Sequence, residues 1–118
     1  MSEDEEFDPS PWYSGDDPTI RNLWIEVRKV IDPEIGLPLV DLGLIYEIKY
    51  DPEIKESHVI MSFTSVGCPA GPYLKSEVYN SCKRVEEVEE AIVQVTFTPQ
   101  WNPREMASEE VQMMLGIF

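Results

Sequence analysis

The chain has 118 residues, 42% hydrophobic and 27% charged, and 23 acidic against nine basic side chains give it a formal net charge of −14. That length suits one domain with a modest core, and a surface this acidic repels phosphate backbones, which argues against nucleic acid as a partner. No apolar run approaches the roughly 20 residues that span a bilayer, no signal-peptide pattern opens the chain, and two cysteines suit a reducing compartment; a cytoplasmic protein with no membrane partner is expected.

Residues 1–16 carry Glu3, Asp4, Glu5, Glu6 and Asp8, then Pro9, Pro11, Gly15 and Asp16, and show neither helical nor strand periodicity. They read as an acidic flexible tail ahead of one domain at 17–118. Seven acids and no Lys or Arg fall within the first 17 residues, which is half of the net charge. Trp12 and Tyr13 are the exception in the tail, because an exposed pair of large rings is unfavourable in water and is expected to fold back onto the domain.

Asp17-Pro18 reads as an N-cap followed by proline at the first helical position. Ile20, Leu23, Trp24, Val27, Val30 and Ile31 recur at spacings of three and four and predict a helix from Pro18 to Ile31, stopped by Asp32-Pro33. Residues 32–44 hold six aliphatic side chains but also two prolines and two glycines. The segment is expected to be an ordered, irregular connection packed on the core. It holds Glu34 and Asp41 in fixed places, and each has a plain structural use available, Glu34 in a turn and Asp41 accepting backbone N–H bonds.

Ile45–Tyr50 alternates, with Tyr46, Ile48 and Tyr50 on one face and Glu47 and Lys49 on the other. His58–Thr64 alternates with Val59, Met61 and Phe63 inward. The short turn between them predicts an antiparallel hairpin. Leu74, Val78, Cys82 and Val85 form a stripe that predicts a helix over about Pro72–Arg84 and places Cys82 on its buried face as an inert small hydrophobe. Ala91, Val93, Val95 and Phe97 mark a third strand. Pro99 to Pro103 break the pattern, and Ser108 caps a last helix carrying Val111, Met114 and Leu115, with Gly116 as its stop. The order helix, strand, strand, helix, strand, helix predicts a small two-layer α+β domain with a sheet of three or more strands.

Between the second strand and second helix lies Thr64-Ser65-Val66-Gly67-Cys68-Pro69-Ala70-Gly71-Pro72, which sets one cysteine among glycines and prolines where a helix begins. The positive end of a helix favours the thiolate, the form that binds metals or attacks electrophiles. Conventional sites do not fit around it. A zinc centre takes about four close ligands, whereas His58 is the one histidine and Cys82 lies roughly 20 Å along the helix at ~1.5 Å per residue. A P-loop requires a second glycine where Leu74 stands, and a cysteine nucleophile needs a base, while six strand residues at ~3.3 Å each put His58 at the far end of the hairpin. A solitary loop thiol remains, suited to transient ligation shared with another molecule. A structural cysteine in a tight turn is the alternative on spacing alone.

Asp32-Pro33-Glu34, then Leu39-Val40-Asp41-Leu42-Gly43-Leu44-Ile45-Tyr46, then Thr64-Ser65-Val66-Gly67-Cys68-Pro69, and finally Trp101-Asn102-Pro103 with Met106, resemble the SufT/PaaD-type iron-sulfur assembly domain family in the expected order over residues 20–118. The resemblance implies a compact α+β domain that matures iron-sulfur proteins and is not a conventional enzyme. Cys68 matches the motif cysteine and would contact iron or a cluster transiently, with none permanently bound. Glu34 matches the acidic residue of the D-P-E motif, and Asp32, Asp41 and Thr64 match flanking positions as supporting residues. The implied partners are the iron-sulfur assembly machinery and client apoproteins. A homodimer is admitted, although it would bring only two Cys68 thiolates together. The chain lacks the cysteine-rich extension associated with PaaD-type proteins, so a stand-alone SufT-like member is preferred over a factor for a phenylacetate-degrading oxygenase. The reading of another class is a protein-protein adaptor in which Cys68 is structural.

Overall fold

The computed structural model describes residues 8–65 and 67–116. Asp17 starts the first helix, α1 (Pro18–Val27), by accepting the Thr19 N–H at 2.8 Å and the Ile20 N–H at 3.3 Å with one carboxylate oxygen. Two otherwise orphaned donors are thereby satisfied. α1 is shorter than its apolar periodicity predicts. The N–H groups of Lys29 and Val30 bond the carbonyls three residues back, Glu26 and Val27, so the chain tightens and leaves the helix. Val30 stays buried, but Ile31 is 43% exposed and pairs in an isolated bridge with Pro38 instead of extending the helical stripe.

Residues 32–44 form an ordered connection packed on the core, as expected, but it contains one regular turn of helix, α2 (Leu39–Leu42). Pro38 and Gly43, which read as breakers, are its two caps. Gly43 ends it at φ +83°, the left-handed conformation open to glycine, and a side chain there would collide with the Met106 carbonyl.

Strands β1 (Ile45–Asp51) and β2 (Glu56–Met61) form the expected antiparallel hairpin. Ile45 pairs with Met61 and Glu47 with Ile60, so Tyr46 is an extra residue bulged out of the ladder. The bulge corrects the simple alternation: Ile45 and Ile48, three apart, both turn into the core, while Tyr46 donates its hydroxyl to the Pro99 carbonyl at 2.8 Å. A crossover helix, α3 (Gly71–Lys83), leads to β3 (Glu90–Val95), which runs parallel to β2 and completes a sheet of order β1-β2-β3. α1 packs on β1, α3 packs on β3, and the two helices pack on each other as the second layer. Leu23, Val27, Leu39, Leu42, Leu44, Val59, Met61, Leu74 and Val78 are sealed between the layers. Burial of each large aliphatic side chain contributes about 1.5–3 kcal/mol before entropy is counted.

Asn102 caps a further short turn, α4 (Pro103–Met106), which the sequence pattern does not announce, and Ser108 caps α5 (Glu109–Met114) as expected. Val111 is buried, but Met114 and Leu115, assigned to the same face, are 64% and 40% exposed. At the other end Trp12 and Tyr13 pack against the core, and the Tyr13 hydroxyl accepts the Asp17 N–H at 3.0 Å, holding the segment against the start of α1. The expectations for residues 1–7 lie outside the described residues.

Candidate functional site

The cysteine loop is shaped by its own backbone. The Cys68 N–H donates to the Ser65 carbonyl at 3.2 Å, and the Cys68 carbonyl accepts the Gly71 N–H at 3.1 Å, which turns the chain directly into α3. A side chain at residue 71 would come within 2.7 Å of the Phe63 ring, so glycine is what lets the helix start sit on that ring. Cys68 precedes the Ala70 N-cap by two residues and is 8% exposed. Although covered, it lies outside the contiguous apolar cluster to which Cys82 belongs. Burial and packing are therefore separate here: Cys68 is covered without belonging to that cluster.

A cavity of about 210 Å³ adjoins the loop, lined by Phe63, Thr64, Ser65, Phe97, Gln100 and Trp101. Phe63 and Phe97 meet edge to face, their centroids 6.1 Å apart. The Trp101 indole donates to the Leu42 carbonyl at 2.7 Å, and Leu42 follows Asp41 directly. The motifs containing Thr64, Asp41 and Trp101 are thus tied together across the fold.

Asp41 is 7% exposed, and its two carboxylate oxygens accept the Arg28 Nε and Nη2 at 3.1 Å each, a two-pronged ion pair. This replaces the expected backbone N–H partners. Arg28 carries no motif signal in the sequence; only the tertiary approach of α1 to α2 identifies it. Asp32 is 1% exposed and its Oδ1 accepts the N–H groups of Glu34 at 2.8 Å and Ile35 at 3.3 Å. Its backbone carbonyl also accepts the Gly36 N–H at 2.7 Å. The D-P-E motif is therefore a self-bonded turn in which Asp32 is the buried brace and Glu34 the exposed side chain. Among the described residues no hydrogen bond or ion pair links Asp32, Glu34, Asp41 or Thr64 to Cys68.

Among the described residues no three His, Cys, Asp or Glu side chains gather into a metal-holding group. The His58 ring engages the Gln94 side chain at 3.1 Å. Cys82 is fully buried on α3, and burial pushes its thiol up to about 11, with the Ser57 hydroxyl pulling partly the other way. The Ser57 hydroxyl itself, also fully buried, has no well-formed hydrogen bond.

Fold and loop together define the class: a small α+β domain that holds one thiol in a tight loop outside its packed core. Residues 26–95 match the family described as iron-sulfur cluster assembly protein, and the chain belongs to that family. It is 34% identical over 96 residues to the Fe-S protein maturation auxiliary factor YitW of Bacillus subtilis, an alignment covering 81% of this chain and 92% of that protein. It is 35% identical over 88 residues to the Fe-S protein maturation auxiliary factor SufT of Staphylococcus aureus, covering 75% and 98% of the two. Among solved structures it resembles a domain of unknown function, DUF59, from Bacillus anthracis, with TM-score 0.76 and 35% identity over 85% of this chain and 93% of that one. A conserved hypothetical protein from Thermotoga maritima matches with TM-score 0.71 and 33% identity over 81% and 92%. The SufT-type resemblance read from the motifs and the α+β class hold.

Proposed function

We propose that this chain is an auxiliary factor in the maturation of iron-sulfur proteins, acting through transient contact between the Cys68 thiol and an iron-sulfur cluster or iron passing to a client. The cluster is cargo. The observation that carries the reading is the position of Cys68, held by loop backbone bonds but outside the packed apolar cluster, in a loop whose Thr64 and Ser65 line an aromatic cavity. Among the described residues no metal-holding group of three or more His, Cys, Asp or Glu forms around this thiol, so it makes one bond to a metal and the remaining ligands come from the donor or acceptor protein. Such incomplete ligation favours release over storage, which suits transfer better than catalysis.

In this reading the supporting acids act differently. Asp32 and Asp41 shape the connection, one by bracing a turn and the other by anchoring α2 to Arg28. Glu34 is exposed and free to meet a partner or the cargo. The assembly machinery and client apoproteins are the partners. The test is client activity in cells carrying Cys68→Ser: the fold is kept, and iron-sulfur enzyme activity falls.

A second reading has one observation in its favour, the 8% exposure of Cys68. There the chain is an adaptor and Cys68 a structural residue of the loop. Cys68→Ala separates the two, since an adaptor retains partner capture and client maturation alike.

A further inference from the structure

The two edges of the sheet are built differently. β1 carries the Tyr46 bulge and alternating Glu47 and Lys49, features that discourage another strand from pairing with it. β3 reads Glu-Ala-Ile-Val-Gln-Val, with no proline or lysine, and its register against β2 is unbroken from Glu90 to Val95. The Glu90 N–H bonds the Lys55 carbonyl at 3.2 Å and the Thr96 N–H bonds the Met61 carbonyl at 2.8 Å. In a parallel ladder the bonding residues alternate, so Ala91, Val93 and Val95 present their N–H and C=O groups on the side away from β2.

Beside this edge α3 and β3 enclose a groove of about 480 Å³, lined by Pro72, Lys75, Tyr79 and Val93 among others. Tyr79 is 39% exposed there. We infer that the β3 edge and the α3 groove form a docking site for an extended segment of a partner protein, which adds as a fourth strand. Main-chain bonds to Ala91, Val93 and Val95 hold it, and its alternate apolar side chains enter the groove under Tyr79.

Charge selects the occupant. Glu56 and Glu90 are paired side by side where the strands begin, while Glu89, next in the chain, already meets the Lys55 ammonium at 3.6 Å. Like charges set opposite one another are unfavourable, and a basic residue at that end of the incoming segment relieves them. A second copy of this chain, also at −14, brings more negative charge to the same place. The partner segment is therefore apolar at alternate positions and basic at the end that meets Glu90. This inference stands apart from the chemistry of Cys68.

The test uses the full chain and a fluorescein-labelled eight-residue peptide that alternates valine and threonine and carries two lysines at one end. Fluorescence anisotropy should saturate, weaken with salt, and weaken roughly tenfold in Ala91→Pro, which removes an outward N–H and leaves the β2 ladder intact. Amide shifts on binding should concentrate at residues 91, 93 and 95. Tyr79→Ser, at an exposed helix position, should weaken binding too and serves if Ala91→Pro fails to fold. Glu90→Lys should weaken the lysine peptide and improve one ending in two glutamates. Absence of saturable binding, or equal affinity in folded Ala91→Pro, overturns the proposal. So does a wild-type dimer in sedimentation that Ala91→Pro dissolves, because the edge then pairs with itself.

Discussion

The Trp101 indole N–H donates to the Leu42 carbonyl at 2.7 Å, joining positions 59 apart in sequence. One bond fastens the W-N-P segment to the end of α2, where Gly43 lets the chain pass the Met106 carbonyl at close range. The connection that carries Asp41 and the cavity beside the cysteine loop therefore depend on the same contact. Trp101→Phe should destabilise the fold by about 1–3 kcal/mol, as expected when a partly buried carbonyl loses its donor. Gly43→Ala should do more, since it meets both a left-handed backbone and a backbone collision. Urea unfolding of the two variants checks both the order and the sizes.

Arg28 and Asp41 make the other long tie. The carboxylate is the more buried partner, with a side chain 10% exposed against 37% for Arg28. Removing the guanidinium leaves the carboxylate without its charged partner, so Arg28→Ala should destabilise by about 2 kcal/mol. In a double-mutant cycle Arg28→Ala with Asp41→Asn should be less harmful than the sum of the single changes. Strict additivity would show that the pair contributes nothing.

Asp32 and Glu34 should separate stability from function. Asp32→Ala removes the acceptor of the Glu34 and Ile35 N–H groups and should lower stability by about 1–2 kcal/mol, with Asp32→Asn recovering part of it. Glu34→Gln touches an exposed side chain and should leave unfolding unchanged while lowering client maturation in cells. Thermal unfolding and client enzyme activity, measured on the same variants, distinguish the two roles.

Cys82 should make the fold sensitive to alkali. Its thiol rises from 9.0 to about 11 on folding because burial disfavours the thiolate. The native state therefore keeps its proton where the unfolded chain has lost it. The stabilisation is fully present below pH 9.0 and is lost as pH rises through about 11. Its full size is on the order of 3 kcal/mol. Urea midpoints from pH 8 to 11 should fall in the wild type, and Cys82→Ala should flatten that fall.

Much of this architecture is legible in the sequence because it rests on period. Leu74, Val78 and Cys82 lie on one helical face, and Val59 and Met61 alternate in a strand, so burial follows from spacing. What is not legible depends on exceptions to local pattern. Pro38 and Gly43 look like breakers until the chain between them closes one helical turn, and the bulge at Tyr46 shifts the strand's alternation so that Ile45 and Ile48, three apart, both face the core. Ile31, Met114 and Leu115 continue an apolar stripe past the point where any neighbour covers them. Cys68 is visible as the motif cysteine, but its burial and its separation from the apolar cluster come from tertiary packing. Arg28 is found only when α1 and α2 meet, since no spacing rule links residues 28 and 41.

The central claim is that Cys68 acts on cargo and is not part of the packing. The direct measurement is the activity of iron-sulfur client enzymes in cells whose only copy of this protein is Cys68→Ser, with its abundance and melting temperature checked alongside. The account predicts a folded variant of normal abundance and reduced client activity. Undiminished client activity with the same folded variant contradicts it.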